Sequence, residues 1–292
     1  MFVVDFPGDV TASQVEGLRE EVTAIVGWAN ATRGDRVLLV LNSGGGTVTG
    51  YGLAAAQLKR IKAAGLHLTV CVEQVAASGG YMMACTGDHI CASPFAVLGS
   101  IGVITEIPNV YERLTKEGIS FNTITAGKFK RTLTPTKKAT KEDIDKTKQD
   151  IEQILVLFKN FVASNRPQLD IDNVATGETW FGPDALKNKL VDELVTADDK
   201  LLELRNVGCE LLSVKYDDPR RRKGALGSLL PSGDSGSNLA DIMSGLIALS
   251  RLAKTGGDVA GLGSIMPSSG RTNSVADEYM AADPRDYQDY RM

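Results

Sequence analysis

An unbroken apolar run, Val37 to Leu41, is the feature that most constrains the fold of this chain. A strand with one face in water alternates apolar and polar residues, so five apolar residues in succession predict a strand that is covered on both faces. Strand-like patterns also occupy residues 2–6 and 68–72, and amphipathic helical patterns lie between the three. This strand–helix–strand–helix–strand order predicts an α/β fold with parallel strand pairing.

Capping residues indicate where two of the helices begin. Thr11 with Gln14, and Thr140 with Asp143, each predict a capping box. The first of these helices has the apolar stripe Val15, Leu18, Val22 and Ile25, and the second has Ile144, Ile151, Leu155, Phe158 and Val162. Further strands are predicted at 121–125 and at 211–214.

The composition changes near residue 217, which predicts two parts in this chain of 292 residues. Residues 1–216 have the α/β pattern and are interpreted as one catalytic domain. After Gly256 there are six acidic residues and three arginines, which account for −3 of the formal net charge of −4. Together with the abundance of Gly and Ser, this predicts a largely disordered acidic tail over 217–292, with one amphipathic helix at 239–253.

Charge and cysteine patterns exclude several classes of protein. An acidic balance offers no basic face for nucleic acid. The four cysteines form no CxxC pair, which excludes a zinc ribbon, and their apolar neighbours predict buried, reduced thiols. The longest uncharged stretch, 37–58, has a glycine-rich centre that would break a spanning helix, so neither a transmembrane segment nor a signal peptide is predicted.

Two glycine-rich segments follow predicted strands and are candidates for a functional site. Glycines at 44–46 would let backbone N–H groups face an anion or a carbonyl oxygen, although a tight strand-to-helix turn has the same pattern. Ser78, followed by Gly79 and Gly80, opens a short predicted helix. Ser78 is placed to act as a nucleophile, with the Gly79 N–H stabilising an oxyanion; a packing turn of small residues is the alternative.

A serine nucleophile needs a base, and the chain has only two histidines, His67 and His89. Neither lies in a segment that also offers an orienting acid, so a catalytic histidine is not favoured. A lysine acts as a base only when it is neutral, which requires burial and nearby cations to lower its pKa. Lys130 has Lys128 and Arg131 beside it and is the candidate base, with a solvated basic turn as the alternative.

The block from Ser78 to Tyr81, the glycine loop at 42–46 and the turn Gly127–Lys130 occur together in this chain. The set resembles the signal peptide peptidase A family of serine peptidases, and most closely its SohB branch. The resemblance runs from residue 2 to about 215. It implies a ClpP/crotonase-like fold of repeated β-β-α units and a Ser–Lys dyad that uses no metal or other cofactor.

The resemblance also implies roles for individual residues. Ser78 matches the nucleophile and Lys130 the general base, with Lys128 as the less favoured lysine. Ser100 lies near the family's substrate groove, where it would help to orient the lysine.

Gly45 or Gly46, together with Gly79, match the oxyanion donors. The family usually has proline where Gly44 stands, so a more flexible loop is expected here.

The implied activity is that of a serine endopeptidase. Its substrates would be extended apolar peptides, such as signal-peptide remnants or membrane-protein fragments. A homo-oligomeric ring, with an octamer favoured, and peripheral membrane association are implied as well, whereas the compartment is not fixed. Two other readings stay open: a crotonase-type acyl-CoA enzyme, and a non-catalytic assembly subunit in which the dyad is unused.

Overall fold

Parallel strands form the centre of the fold in the computed structural model, which describes residues 1–217. The strands are β1 (Phe2–Gly8), β2 (Arg36–Ser43), β3 (His67–Ala77), β4 (His89–Ala92), β5 (Val97–Gly99), β6 (Thr179–Phe181), β7 (Glu193–Leu194) and β8 (Leu212–Ser213). The helices are α1 (Val15–Trp28), α2 (Val48–Ala63), α3 (Gly79–Ala84), α4 (Tyr111–Lys116), α5 (Lys141–Asn165), α6 (Ile171–Val174), α7 (Gly182–Lys187) and α8 (Ala197–Asn206). The helix predicted at 239–253, and almost all of the predicted tail, lie outside the described residues.

The sheet confirms the predicted α/β class. Its strand order is β6-β5-β3-β2-β1-β8, and β4 pairs with both β3 and β7. All of these pairs are parallel except β5 with β6. The long strand β3 pairs with β4 through its first half and with β5 through its last residues, so β5 lies beside the carboxyl end of β3.

The apolar run Val37–Leu41 is covered on both faces, as predicted. Its odd-numbered residues belong to the larger core cluster, which also contains side chains of α1, α2, α3 and α5. Leu38 faces the other way and is buried with Cys71, Cys91 and Ala197 of α8. Both faces of β2 are thus covered by other side chains, and Val40 is the one residue of the run that stays partly exposed.

The predicted capping box is confirmed at α5 but is wrong at α1. At α5, the Thr140 hydroxyl accepts from the Asp143 N–H at 3.2 Å, and the Asp143 carboxylate accepts from the Thr140 N–H at 3.1 Å. At α1, the Asp9 carboxylate instead accepts the N–H and hydroxyl groups of Thr11 and Ser13, over 2.6 to 3.0 Å. An ionised carboxylate is a stronger acceptor than a threonine hydroxyl, so a turn organised by Asp9 takes the place of the box.

The strand predicted at 121–125 is wrong, because these residues form an irregular, exposed segment. Ile124 is 99% exposed and Phe121 is 55% exposed. A strand needs a partner for its N–H and C=O groups, and no strand within residues 1–217 pairs with this segment. Its apolar side chains therefore face solvent in the single chain.

All four cysteines are free thiols, and Cys71, Cys85 and Cys91 are buried, as predicted. Within the described part of the chain, no helix is both long enough and apolar enough to cross a lipid bilayer.

Candidate active site

Ser78 lies at the junction between the end of β3 and the start of α3. Its backbone has φ 51° and ψ −118°, a left-handed conformation that residues other than glycine rarely adopt. Such a conformation costs on the order of 1–3 kcal/mol and persists only where the surrounding structure enforces it. Here the Ser78 N–H donates to the carbonyl of Gly99 at 2.8 Å, which ties the junction to β5. The partly exposed serine thus stands at the carboxyl end of a central parallel strand, where open α/β sheets bind ligands.

The two glycines after Ser78 are required by close packing. A Cβ atom on Gly79 would lie 2.4 Å from the ring of Tyr51, and one on Gly80 would lie 2.3 Å from the carbonyl oxygen of Ser43. Side chains at these positions would push α3 away from α2 and from the end of β2. The Ser-Gly-Gly sequence therefore lets the short helix seat directly behind the serine.

The glycine loop after β2 lies against Ser78. Gly45 has φ 84°, and a Cβ atom there would lie 2.6 Å from the Gly79 nitrogen and 2.9 Å from the Ser78 Cβ. Gly46 packs on Val10, since its Cβ would lie 1.9 Å from the Val10 carbonyl oxygen. By contrast, no atom lies within 4 Å of a Cβ built on Gly44. Two of the three glycines are thus fixed by contact, and Gly44 is not.

Backbone N–H groups of the glycine loop and of α3 lie close to the serine. The N–H groups in the first turn of a helix have no intrahelical acceptor, and Gly79 is the first residue of α3. The Gly45 N–H donates to the Ser43 hydroxyl at 3.1 Å. The predicted donors Gly45, Gly46 and Gly79 are therefore brought together around Ser78, and Gly45 is engaged by a side chain in this structure.

A small, mainly apolar pocket of about 70 Å³ opens beside Ser78. Its lining residues come from the glycine loop, α2, α3, the segment after β5, and α5: Gly46, Val48, Ser78, Gly79, Met82, Gly102, Val103, Ile104, Ile154 and Phe158. Pockets for whole small-molecule ligands measure roughly 300–1,000 Å³. This pocket has the size for one side chain rather than for a cofactor.

Ser100 is placed close to Ser78 through the backbone of β5. It follows Gly99, whose carbonyl accepts the Ser78 N–H, and its own N–H donates to the Glu178 carbonyl at 2.6 Å. Ser100 has φ 49°, and the ring of Trp180 covers Gly99 from the other side. The backbone therefore places Ser100 near Ser78, while its role in orienting the lysine stays a prediction.

Lys130 is not brought to Ser78 within the described chain. It lies in an exposed turn closed by a hydrogen bond from its N–H to the Gly127 carbonyl, and it does not line the serine pocket. Phe129 beside it lies under the Lys146 ammonium of α5, at 5.6 Å from the ring centroid. Lys146 lies eight residues before Ile154, which lines the pocket. Eight residues span about 12 Å along a helix, so Phe129 contacts α5 at about that distance along the helix from the pocket.

Lys128, the less favoured lysine, is engaged elsewhere. Its ammonium forms an ion pair with Glu142 at 2.6 Å and lies 5.0 Å from the ring centroid of Phe129.

The two histidines lie far from the serine. His67 begins β3, and His89 on β4 is in register with Thr69, nine residues before Ser78. At about 3.3 Å per residue, that is close to 30 Å along the strand. His89 does have a carboxylate partner, Glu193 at 2.9 Å, which local sequence patterns do not indicate because it comes from a distant segment.

His89, Cys91 and Glu193 place one ligand atom each within 4.8 Å of one another, the spacing of a metal site. However, the Lys200 ammonium donates to the Glu193 carboxylate at 2.8 Å, so a protein cation already neutralises that carboxylate. The hydrogen bonds from Lys200 and His89 lower the pKa of Glu193 to about 2. The cluster is therefore complete as an ion pair with a histidine and does not require a metal ion.

Two buried hydroxyl groups lie behind the glycine loop, and no local sequence pattern indicates them as site residues. Ser43 and Tyr51 are 1% and 0% exposed, and their oxygens lie 2.5 Å apart. A serine at a strand end and a tyrosine in an amphipathic helix look ordinary in the sequence, because their proximity depends on how α2 packs on β2.

Family models match nearly all of the described chain. Residues 1–58 match "Peptidase family S49 N-terminal" and residues 60–209 match "Peptidase family S49". A protein of Haemophilus influenzae named "Probable protease SohB" is 50% identical over 216 residues, covering 74% of this chain and 60% of that protein. A protein of the same name in Buchnera aphidicola subsp. Schlechtendalia chinensis is 50% identical over 202 residues, covering 69% and 66%. This chain thus spans 60–66% of the length of these relatives.

Proposed function

Because the chain belongs to peptidase family S49, we propose that it is a serine endopeptidase whose nucleophile is Ser78. The observation that carries the proposal is the backbone of Ser78, held in a left-handed conformation against the glycine loop and the first turn of α3. A strained serine beside converging backbone donors is the arrangement that acyl transfer needs. The fold is proposed to be ClpP/crotonase-like, in keeping with the parallel strands β1, β2 and β3, each followed by a helix.

The proposed reaction uses Lys130 as the general base. Neutral Lys130 removes the Ser78 proton while the Ser78 oxygen attacks a peptide carbonyl carbon. Backbone N–H groups of the glycine loop and of Gly79 stabilise the oxyanion, and the protonated lysine gives its proton to the leaving amine. Water then attacks the acyl-enzyme by the same route and releases the second product.

Lys130 is exposed in the single chain, so the proposal includes a homo-oligomeric ring, with an octamer favoured, in which a neighbouring copy completes the dyad. Exposed apolar residues of the same region support an interface there, since Ile104 is 81% and Ile124 is 99% exposed.

Substrates are proposed to be extended, apolar peptides, such as signal-peptide remnants or fragments of membrane proteins. The small apolar pocket beside Ser78, lined in part by Met82 and Phe158, suits one apolar side chain of such a peptide. Peripheral membrane association, which would bring the enzyme close to these substrates, is part of the proposal.

The test is cleavage of an internally quenched peptide of alanine and leucine by the wild type and three variants. Ser78→Ala and Lys130→Ala should each lower kcat/KM, the latter by roughly 10²–10⁴-fold, as expected for loss of a general base. Lys128→Ala is the matched control and should retain activity. Full activity in Ser78→Ala and Lys130→Ala would contradict the assignment, and turnover of CoA thioesters instead of peptides would favour a crotonase-type enzyme.

A further inference from the structure

A chain of hydrogen bonds runs from the glycine loop into the body of the protein. The Gly45 N–H donates to the Ser43 hydroxyl at 3.1 Å, Ser43 and Tyr51 share a hydrogen bond of 2.5 Å, and the Tyr51 hydroxyl donates to the Asp9 carbonyl at 2.6 Å. Ser43 and Tyr51 are almost completely buried, so water does not compete for these groups.

The direction of every bond in this chain is determined by its two ends. The Asp9 carbonyl can only accept, so the Tyr51 proton points to it. The Tyr51 oxygen must then accept the proton of Ser43. The Ser43 oxygen is left to accept, and its donor is the Gly45 N–H. Each hydroxyl donates once and accepts once. Removing the Ser43 hydroxyl leaves the Gly45 N–H without this acceptor, and removing the Tyr51 hydroxyl leaves the Ser43 proton without one.

Further hydrogen bonds hold the Asp9 end of this series of hydrogen bonds in place. The Asp9 carboxylate accepts from Thr11 and Ser13, and these bonds hold its pKa well below the usual value for aspartate. The next residue, Val10, accepts the Thr47 N–H at 2.8 Å, which ties the same turn to the other side of the glycine loop. The turn at residues 9–13 therefore anchors the glycine loop.

The Gly45 end of the same series lies against both parts of the proposed oxyanion hole, the glycine loop and the start of α3. Tyr51 packs its ring against Gly79, and the hydrogen-bonded loop residue Gly45 packs against the Gly79 nitrogen. Three successive glycines have no side chains to fix their peptide planes, and Gly44 lies in open space. The hydrogen bonds therefore add to the close contacts of Gly45 and Gly46 in fixing the loop.

We propose that Ser43 and Tyr51 are positioning residues, whose buried hydroxyls hold the glycine loop in the orientation that the oxyanion hole requires. This inference rests on the proposed serine peptidase function. Neither residue lies where substrate binds, since neither lines the pocket beside Ser78. Their loss should therefore slow the chemical step rather than weaken substrate binding.

The test compares Ser43→Ala, Tyr51→Phe and the double variant with Tyr81→Phe. Tyr81 is the matched control because its hydroxyl is equally buried and donates to the Leu190 carbonyl at 2.9 Å, away from the glycine loop. We expect Ser43→Ala and Tyr51→Phe to lower kcat about tenfold with KM unchanged, a smaller effect than loss of an oxyanion donor itself. Because the two hydroxyls act in series, the double variant should lose little more than the worse single variant.

Thermal unfolding and the rate of Ser78 labelling by a fluorophosphonate separate the outcomes. Tyr81→Phe should also lower Tm, because it leaves the buried Leu190 carbonyl without this donor, while it keeps the wild-type kcat and labelling rate. If Ser43→Ala and Tyr51→Phe lower Tm but keep kcat and labelling, the positioning role is overturned while the proposed function stands. If the wild type itself is not labelled at Ser78, the proposed function fails and this inference fails with it.

Discussion

Ser78 and Lys130, the two members of the proposed dyad, lie in regions of opposite character. Around Ser78 the backbone is fixed by a hydrogen bond to Gly99, by the close contact of Gly45, and by the packing of Tyr51 on Gly79. Around Lys130 the chain is an exposed turn that meets the body through the ring of Phe129 and the first half of α5. Under the proposed function, one chain would build the nucleophile and the oxyanion hole, and a neighbouring copy would supply the base.

Mixing two inactive variants is the strongest test of whether the base comes from a neighbouring copy. If the base comes from a neighbouring copy, Ser78→Ala and Lys130→Ala subunits unfolded and reassembled together should regain activity. Random mixing in a ring would leave about a quarter of the sites with both residues intact. The measurement is peptide cleavage by the mixed assembly against each variant reassembled alone. Failure to regain activity in rings that are shown to be mixed would place both residues in one chain.

Substitutions of two neighbouring glycines test the geometry of the glycine loop beside Ser78. Gly45→Ala should lower kcat by about 100-fold or more, because the new methyl group would meet Ser78 and Gly79 and displace the loop from the oxyanion. Gly44→Ala is the matched control, since its methyl group would lie in open space. It should keep kcat and raise the free energy of unfolding by about 0.4–1 kcal/mol by restricting the unfolded chain. Equal activities in the two variants would contradict the loop geometry.

The two halves of α5 should contribute differently to the free energy of unfolding, because the second half packs on the core near Ser78 and the first half lies beside the exposed Lys130 turn. Phe158 is 4% exposed and belongs to the core, whereas Ile144 near the start of α5 is 50% exposed. Phe158→Ala should lower the free energy of unfolding by about 3–5 kcal/mol. Ile144→Ala should change it by less than about 0.5 kcal/mol. Urea denaturation of the two variants checks this, and a similar cost at both positions would show that the first half of α5 also packs on the core.

A small effect of pH on the stability of the folded state is expected from Asp143 at the start of α5. Hydrogen bonds from Lys137 and Thr140 lower the pKa of Asp143 from 3.8 to about 2. The folded state thus favours the charged carboxylate, so this contribution to stability is present above the ordinary pKa and is lost as the pH falls through about 2. Asp143→Asn should lower Tm at pH 7, and the difference from wild type should disappear near pH 2. A difference that stays constant with pH would show that the ion pair contributes nothing.

Local patterns in the sequence predicted the parts of the site that adjacent residues build. The buried strand at Val37–Leu41, the turn that carries Ser78 and the α5 capping box all depend on near neighbours, and the structure has each of them. The strand predicted at 121–125 is wrong because apolar composition alone provides no hydrogen-bonding partner. The same limit applies to the box predicted at Thr11, where an aspartate two residues earlier is the better acceptor.

Contacts that depend on how separate elements pack together could not be predicted in this way. Tyr51 and Ser43 meet because α2 packs on the end of β2, and His89 meets Glu193 because β4 and β7 pair across more than 100 residues. Nothing in the local sequence of either pair indicates its partner. The position of Lys130 relative to Ser78 has the same character, since it depends on packing beyond the turn itself.

The most direct test of the account is to identify the residue that a fluorophosphonate modifies. The wild-type protein is labelled, digested and mapped by mass spectrometry, with Ser78→Ala as the control. We expect one adduct, on Ser78, that is absent from Ser78→Ala and forms more slowly in Lys130→Ala. An adduct on another serine, or equal labelling of wild type and Ser78→Ala, would contradict it.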